Sequence, residues 1–436
     1  MLRQAREYYL EFLVVGLNHR TAPLEVREKI TLNSEQLPSA LTTMAAYGMP
    51  GVILSTCNRS EFYALDPQEG SDSSAGWGEG EKNIKEFLVD CFHIRLVDVE
   101  RYLYLHRGRE CVSHLFRVAS SLDSMMLGED QIIGQVREAF DTAVRGETVT
   151  GPLYQLFQQA LRVGRKVRRE SGIGRHAMSV SQACVELAVG DLGDLTGLSA
   201  MVLGTGEAGG LAAMGLRSSG VSDITVVNRT HHRAVELAKT LSGHAVPLPE
   251  MPDALRESDL VVACTGSPEY ILGADLVSNA MASRPDRPMF LIDIAVPRDI
   301  DPAAGLVDNV FLHDVDDLDR VSEARRIAAA NEAEQAEELI IKETEGFLQW
   351  RLAQQALPTV IALRDKAETI RAQELKKTLR KMNPDLSPDD TATLEAMTKA
   401  IVKKILHGPT VYLKEHRSPS DLRMAREIFK LGAEEC

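Results

Sequence analysis

The stretch Ser199-Ala200-Met201-Val202-Leu203-Gly204-Thr205-Gly206-Glu207-Ala208-Gly209 decides the fold. An apolar run of strand character ends in a G-x-G-x-x-G loop and opens a helical segment to about Ser218. Asp223–Val227, Asp259–Ala263 and Phe290–Ile294 read as further strands. Strand alternating with helix predicts a doubly wound parallel sheet of Rossmann type. Gly204 permits the tight turn, Gly206 lets the backbone approach a pyrophosphate, and Gly209 lets helix and strand pack closely, with Thr205, Glu207 and Ala208 completing the loop. The free amides at the helix start suit phosphate, so a dinucleotide is expected there.

The end of the second strand selects the cofactor. An NAD site wants an acid about 20 residues after the loop, to hold the ribose 2′-hydroxyl. Here the chain has Asn228-Arg229-Thr230, and Arg229 suits a 2′-phosphate. NADPH is therefore the expected cofactor. Thr265-Gly266 should lie where the cofactor passes, and the strand context of Cys264 favours packing.

Composition bounds the rest. The chain has 436 residues, enough for two or three domains, with 44% hydrophobic and 26% charged residues. A net charge of −14 means a polyanion would need a local basic patch. Six scattered cysteines without CxxC or His/Cys ligand spacing argue against a metal site and a disulfide framework, and for a reducing, cytoplasmic setting. No apolar run approaches the roughly 20 residues of a membrane span.

A second chemical signal lies near the N-terminus. Gly51-Val52-Ile53-Leu54 reads as a strand running into Ser55-Thr56-Cys57-Asn58-Arg59. A cation two residues from a thiol lowers its pKa, so Cys57 is a candidate covalent nucleophile, and Arg59 could activate it or grip a carboxylate. Leu13–Leu17 and Glu61–Leu65 read as neighbouring strands, and Ser34–Tyr47 as a helix capped by Asn33 or Ser34. Residues 66–82 read as a Gly/Ser/acid loop, and 110–170 as mainly helical. Within the latter, Arg162, Arg165, Lys166 and Arg169 recur at helical spacing and predict a basic face for nucleic-acid phosphates. From about 315 to 357 a single helix of roughly 60 Å is expected, ending before Pro358. Residues 359–432 should form about three amphipathic helices.

Several motifs together resemble the glutamyl-tRNA reductase family. They are Gly16-Leu17-Asn18-His19-Arg20-Thr21-Ala22-Pro23, then Ser55-Thr56-Cys57-Asn58-Arg59-Ser60-Glu61, His114-Leu115-Phe116-Arg117-Val118-Ala119, Leu122-Asp123-Ser124 through Gly128-Glu129-Asp130-Gln131-Ile132-Ile133-Gly134-Gln135-Val136, and Asp293-Ile294-Ala295-Val296-Pro297-Arg298-Asp299-Ile300. The resemblance implies NADPH-dependent reduction of glutamyl-tRNA(Glu) to glutamate-1-semialdehyde through a Cys57 thioester. This is the first committed step of five-carbon tetrapyrrole (porphyrin, haem) biosynthesis. It implies an α/β multidomain chain: an α+β catalytic domain over 1–165, an NADP-binding Rossmann domain over 166–312, and a spinal helix with an all-helical dimerisation domain over 313–436. A homodimer follows from the same resemblance, and a transient contact with a glutamate-1-semialdehyde aminomutase would suit a reactive product. His114 becomes the second activity-sensitive residue. Arg59 then suits the substrate carboxylate and Glu129 its ammonium, with Thr56, Asn58, Ser124, Gln131 and Gln135 as hydrogen-bonding neighbours and Asp130 between them. Ser121 stands where the family usually has glycine. The rival readings are a small-molecule NADP dehydrogenase of shikimate type and a non-catalytic tRNA-binding regulator.

Overall fold

The computed structural model describes residues 10–67, 79–149, 151–176, 179–318, 329–382, 387–415 and 419–431. Most of the loop expected at 66–82 lies outside them; 79–82 belong to the helix Glu79–Phe92. Two compact units divide the chain, Leu10–Ile341 and a unit made mainly of Lys342–Cys436.

In the first unit, β1 (Leu10–Asn18), β2 (Gly51–Ser55), β3 (Arg59–Pro67) and β4 (Tyr104–Arg107) form an antiparallel sheet in the order β2-β3-β1-β4. The short β4 is half-buried throughout and carries little apolar signal, so the sequence reading missed it. Gly108–Ala119, Gln131–Arg145 and Gly151–Ser171 are the expected helices after it. The N-terminal helix spans Leu37–Ala46; Asn33 Oδ1 caps the preceding turn, accepting from Glu35 N at 3.0 Å and Gln36 N at 2.9 Å.

The same unit holds a six-stranded parallel sheet: β5 (Ser199–Leu203), β6 (Asp223–Asn228), β7 (His244–Pro247), β8 (Leu260–Ala263), β9 (Met289–Asp293) and β10 (Val310–Asp314). Its order, β10-β9-β8-β5-β6-β7, is that of a dinucleotide-binding fold. The strands are apolar without alternation because both faces are covered. Ala200, Val202, Val226 and Val262 pack on one side, and Met201, Leu203, Val227 and Val261 on the other. The edge strands β7 and β10, half-exposed, escaped the sequence reading.

Ala330–Lys381 is one helix of 52 residues, about 78 Å at 1.5 Å per residue. This corrects the expectation: the helix starts later than 315 and runs through Pro358. Proline costs about 3 kcal/mol inside a helix. Here Ala356, Val360 and Leu363 on either side of it pack into the core of the second unit, and that burial offsets the cost. With residues 359–381 of this helix, Pro388–Glu415 and Pro419–Ile428 make the three helical stretches expected over 359–432 among the described residues, the first of them continuous with the long helix. The core of the second unit is small, while Ile361 (49%), Met397 (51%), Ile401 (48%) and Ile405 (66%) remain open to solvent.

Candidate active site

Cys57 sits at the tip of a β-hairpin. Ser55 pairs with Ser60, and Thr56 N donates to Arg59 O at 2.8 Å, closing the turn around the thiol. Thr56 Oγ1 accepts from the amides of Asn58 and Arg59, both at 3.2 Å, so Thr56 shapes the turn. The thiol departs from expectation. Burial pushes it up to about 12, Glu129 adds to the rise, and Arg27 and Arg59 only partly offset it. A neighbouring cation lowers a thiol pKa only when desolvation does not outweigh it.

Arg59 is itself buried and bound within the protein. Its Nη1 lies 2.6 Å from Glu61 Oε1 and 3.2 Å from Asp123 Oδ2, and its Nη2 donates to the Asp123 carbonyl. Asp123 is also held by Arg20 at 2.9 Å. No free guanidinium fork therefore faces Cys57.

Glu61 is the hub that sequence reasoning missed. Tyr63 and Tyr104 donate to it at 2.6 and 2.5 Å, and His114 Nε2 lies 2.8 Å from its Oε1. Burial opposes its charge, but Arg59 and His114 hold the carboxyl well below its ordinary range. One signal could have found it: Arg59, Glu61 and Tyr63 alternate along one face of the strand. The His114 ring packs on His106 and Tyr104, with centroids 5.0 and 5.3 Å apart.

The segment Ser120–Asp130 docks beside the hairpin. Ser121 has φ +63, the left-handed region that glycine adopts freely. Its Oγ donates to the Glu129 carbonyl at 2.5 Å, and Arg168 Nη1 donates to the same oxygen at 2.7 Å. The Glu129 side chain is buried without an ion pair or hydrogen bond among the described residues, and burial raises it to about 7. Asp130 is corrected: its side chain is 87% exposed and pairs with Arg168, so it is turned away from the site. Gln131 is half-buried, and Gln135 lines a cleft of about 470 Å³ shared with Asn33 and Ser55. Several buried polar atoms of this region have no partner among the described residues: Asn58 Oδ1, Ser120 Oγ, Ser124 Oγ and both ring nitrogens of His19. Burial first, then Arg59 and Arg20, keep His19 neutral, its pKa lowered to about 3.

The glycine loop lies at the carboxyl end of β5. Gly204 has φ +110, and a Cβ on Gly209 would lie 2.3 Å from Cys264 Sγ. Cys264 therefore packs, its thiol donating to Leu203 O at 3.2 Å and raised by burial. Gly206 starts the helix Glu207–Ser218 with open space above it, and Thr205 lies beside it. Asn228 Nδ2 donates to Thr230 O at 3.2 Å, turning the chain so that Arg229 is exposed, without an ion pair among the described residues. Thr265 is held by Asp299, whose Oδ2 accepts from its amide at 2.6 Å. This donor set fits a dinucleotide. On the helix Gly151–Ser171, Arg162, Arg165 and Arg169 are exposed and Lys166 is half-buried, whereas Arg168 points inward.

A dinucleotide-binding sheet beside a hairpin that carries a cysteine suits an oxidoreductase. Family profiles agree: the glutamyl-tRNAGlu reductase N-terminal domain matches residues 15–171, shikimate / quinate 5-dehydrogenase matches 186–321, and the glutamyl-tRNAGlu reductase dimerisation domain matches 335–431. The glutamyl-tRNA reductase of Thermodesulfovibrio yellowstonii is 38% identical over 98% of this chain and 100% of its own length. That of Syntrophotalea carbinolica is 41% identical over 97% of this chain and 95% of its own. The solved glutamyl-tRNA reductase from Methanopyrus kandleri is 32% identical, covering 96% of this chain and 99% of that one, with a TM-score of 0.47. The chain belongs to the glutamyl-tRNA reductase family.

Proposed function

We propose that the chain reduces glutamyl-tRNA(Glu) to glutamate-1-semialdehyde with NADPH, releasing tRNA, through a thioester on Cys57, as the first committed step of tetrapyrrole synthesis. The observation that carries this reading is the half-buried Cys57 at a hairpin tip in a region where the buried polar atoms Asn58 Oδ1, Ser120 Oγ, Ser124 Oγ and both His19 ring nitrogens have no partner among the described residues. Buried polar groups are normally paired, so this set suits a polar ligand. Glu129, buried without an ion pair or hydrogen bond among the described residues, takes the substrate ammonium, which would also cancel the charge that raises the thiol. Arg59 takes the side-chain carboxylate by exchanging it for Asp123. Thr56, Asn58, Ser124, Gln131 and Gln135 supply positioning.

The Cys57 sulfur attacks the glutamyl carbonyl, the carbon–ribose oxygen bond breaks, and the thiol proton ends on that oxygen. His114, held by Glu61, is the proposed group that steers this proton. Gly204–Gly209, Asn228, Arg229 and Thr230 would hold the reduced nicotinamide dinucleotide, which would supply a hydride to the thioester carbon. The carbon–sulfur bond then breaks, the aldehyde leaves, and the Cys57 thiolate recovers a proton from water.

The exposed Arg162, Arg165 and Arg169 with Lys166 are the proposed phosphate contacts. The domain limits near 165 and 312, a homodimer through the helical unit, a cytoplasmic location and a hand-off to an aminomutase belong to the same reading. Exposed apolar side chains on a small core support the dimer.

The test is an acid quench of full-length protein with labelled glutamyl-tRNA. Without NADPH, label should accumulate on Cys57 and hydrolyse slowly; with NADPH, semialdehyde should form. Label on another residue, or near-normal turnover by Cys57→Ser, overturns the mechanism.

A further inference from the structure

Arg27 is 2% exposed in its side chain and touches two parts of the molecule at once. Its Nη1 donates to the Cys57 carbonyl at 2.7 Å, and its Nη2 pairs with Asp316. Asp316 lies two residues past β10, where its amide donates to Asp314 Oδ1 at 2.9 Å. Val315 and Leu318 anchor that turn in the core that also contains Leu24 of the helix Leu24–Arg27. The next residue makes a second tie. Glu28 accepts from Arg298 Nε at 2.9 Å, Arg298 Nη2 at 3.0 Å and the Arg298 amide at 2.8 Å, just beyond β9. Thus two consecutive residues beside the nucleophile hairpin hold the carboxyl ends of β9 and β10, the edge at which dinucleotides bind in such sheets.

Asp316 is 40% exposed, so solvent screens its side of the pair. Arg27 Nε is buried without a partner among the described residues, which costs energy. The planar fork does serve geometry, since it fixes two acceptors relative to one another.

We propose that Arg27 is a positioning residue that registers the acylated Cys57 against the cofactor edge of the sheet. This rests on the thioester reading above. Hydride transfer needs reacting atoms about 3–3.5 Å apart, and a 1 Å error can cost about a hundredfold. Hydrolysis of the same thioester needs only water. Loss of registration therefore diverts the acyl group from reduction to hydrolysis: the carbon–sulfur bond breaks in both, but the carbon gains oxygen from water in place of hydride, and glutamate leaves instead of the aldehyde.

The experiment compares wild type, Arg27→Lys, Arg27→Met and Asp316→Asn as full chains with glutamyl-tRNA. Three quantities are measured: label on Cys57, semialdehyde at saturating NADPH, and free glutamate with and without NADPH. Arg27→Met should lower the ratio of reduction to hydrolysis at least about tenfold, Arg27→Lys less, and Asp316→Asn several-fold, each with Cys57 still acylated. Should Arg27→Met fail to fold, Arg27→Lys and the exposed Asp316→Asn decide. A ratio within twofold of wild type in folded variants overturns the inference while leaving the thioester intact. A wild type that never acylates Cys57 overturns both.

Discussion

His114 Nε2 lies 2.8 Å from Glu61 Oε1, and Glu61 is wholly buried. The same carboxylate oxygen is 2.6 Å from Arg59 Nη1. The imidazole proposed for catalysis and the guanidinium proposed for recognition thus share one anion.

Replacing that anion should be costly. Glu61→Gln keeps the shape but leaves the buried Arg59 charge with Asp123 alone. Breaking a buried pair typically costs about 3–5 kcal/mol. Urea unfolding of Glu61→Gln should show a loss of that size, with a fall in kcat as His114 loses its anchor. A loss below about 1 kcal/mol would contradict the hub.

The Cys57 thiol, pushed up to about 12, should be almost wholly protonated at neutral pH. Its iodoacetamide reaction should therefore climb about tenfold per pH unit from 7 to 10 without a plateau. The rate is read by peptide mass spectrometry, which separates Cys57 from the partly exposed Cys91. A plateau near pH 8 would show a thiol activated in the free protein.

Glu129 raises that thiol and is itself raised to about 7 by burial. Glu129→Gln removes the negative charge, so Cys57 alkylation at pH 8 should quicken several-fold while KM for glutamyl-tRNA rises. The linkage has a definite sign. A carboxyl with a raised folded pKa favours the folded state while protonated, and that contribution fades as pH climbs from about 4.5 through 7. Its full range is about 3 kcal/mol at 1.36 kcal/mol per unit. Wild-type stability should thus decline over that window relative to Glu129→Gln, measured by Tm against pH.

Arg229→Ala should raise KM for NADPH at least about tenfold and leave KM for NADH nearly unchanged, since only the 2′-phosphate distinguishes them. Equal use of NADH by the wild type would remove the NADPH assignment.

Ser121 balances two effects. The left-handed backbone costs a non-glycine residue about 1–2 kcal/mol, and its Oγ bond to Glu129 O returns about 1 kcal/mol. Ser121→Ala keeps the strain and loses the bond, so it should destabilise by about 1 kcal/mol. Ser121→Gly loses both and should stay within about 1 kcal/mol of wild type. Thermal unfolding of the two separates the effects; Ser121→Gly being the worse of the two would refute this account.

The glycine loop, its strand and its helix were legible because turn chemistry and apolar runs are local. The same holds for Cys57 at a strand end and for the basic spacing of Arg162, Arg165 and Arg169. The long-range partners of Glu61 and Arg27 were not legible. They lie at sequence separations of 53 for His114 and 289 for Asp316, and no short-range pattern carries such pairs. Arg168 shows the same limit: its spacing resembles that of its neighbours, yet its guanidinium turns in to the Glu129 carbonyl.

By itself the chain's residue order determined the dinucleotide fold, the thiol and the run of helices, since each follows from periodicity, backbone sterics or side-chain chemistry within a few residues. Tertiary structure alone decided the direction of the Cys57 shift, the occupants of the Arg59 fork, the outward turn of Asp130 and the passage of the long helix through Pro358. Each of these is set by desolvation or by packing between distant segments, and both depend on the whole fold.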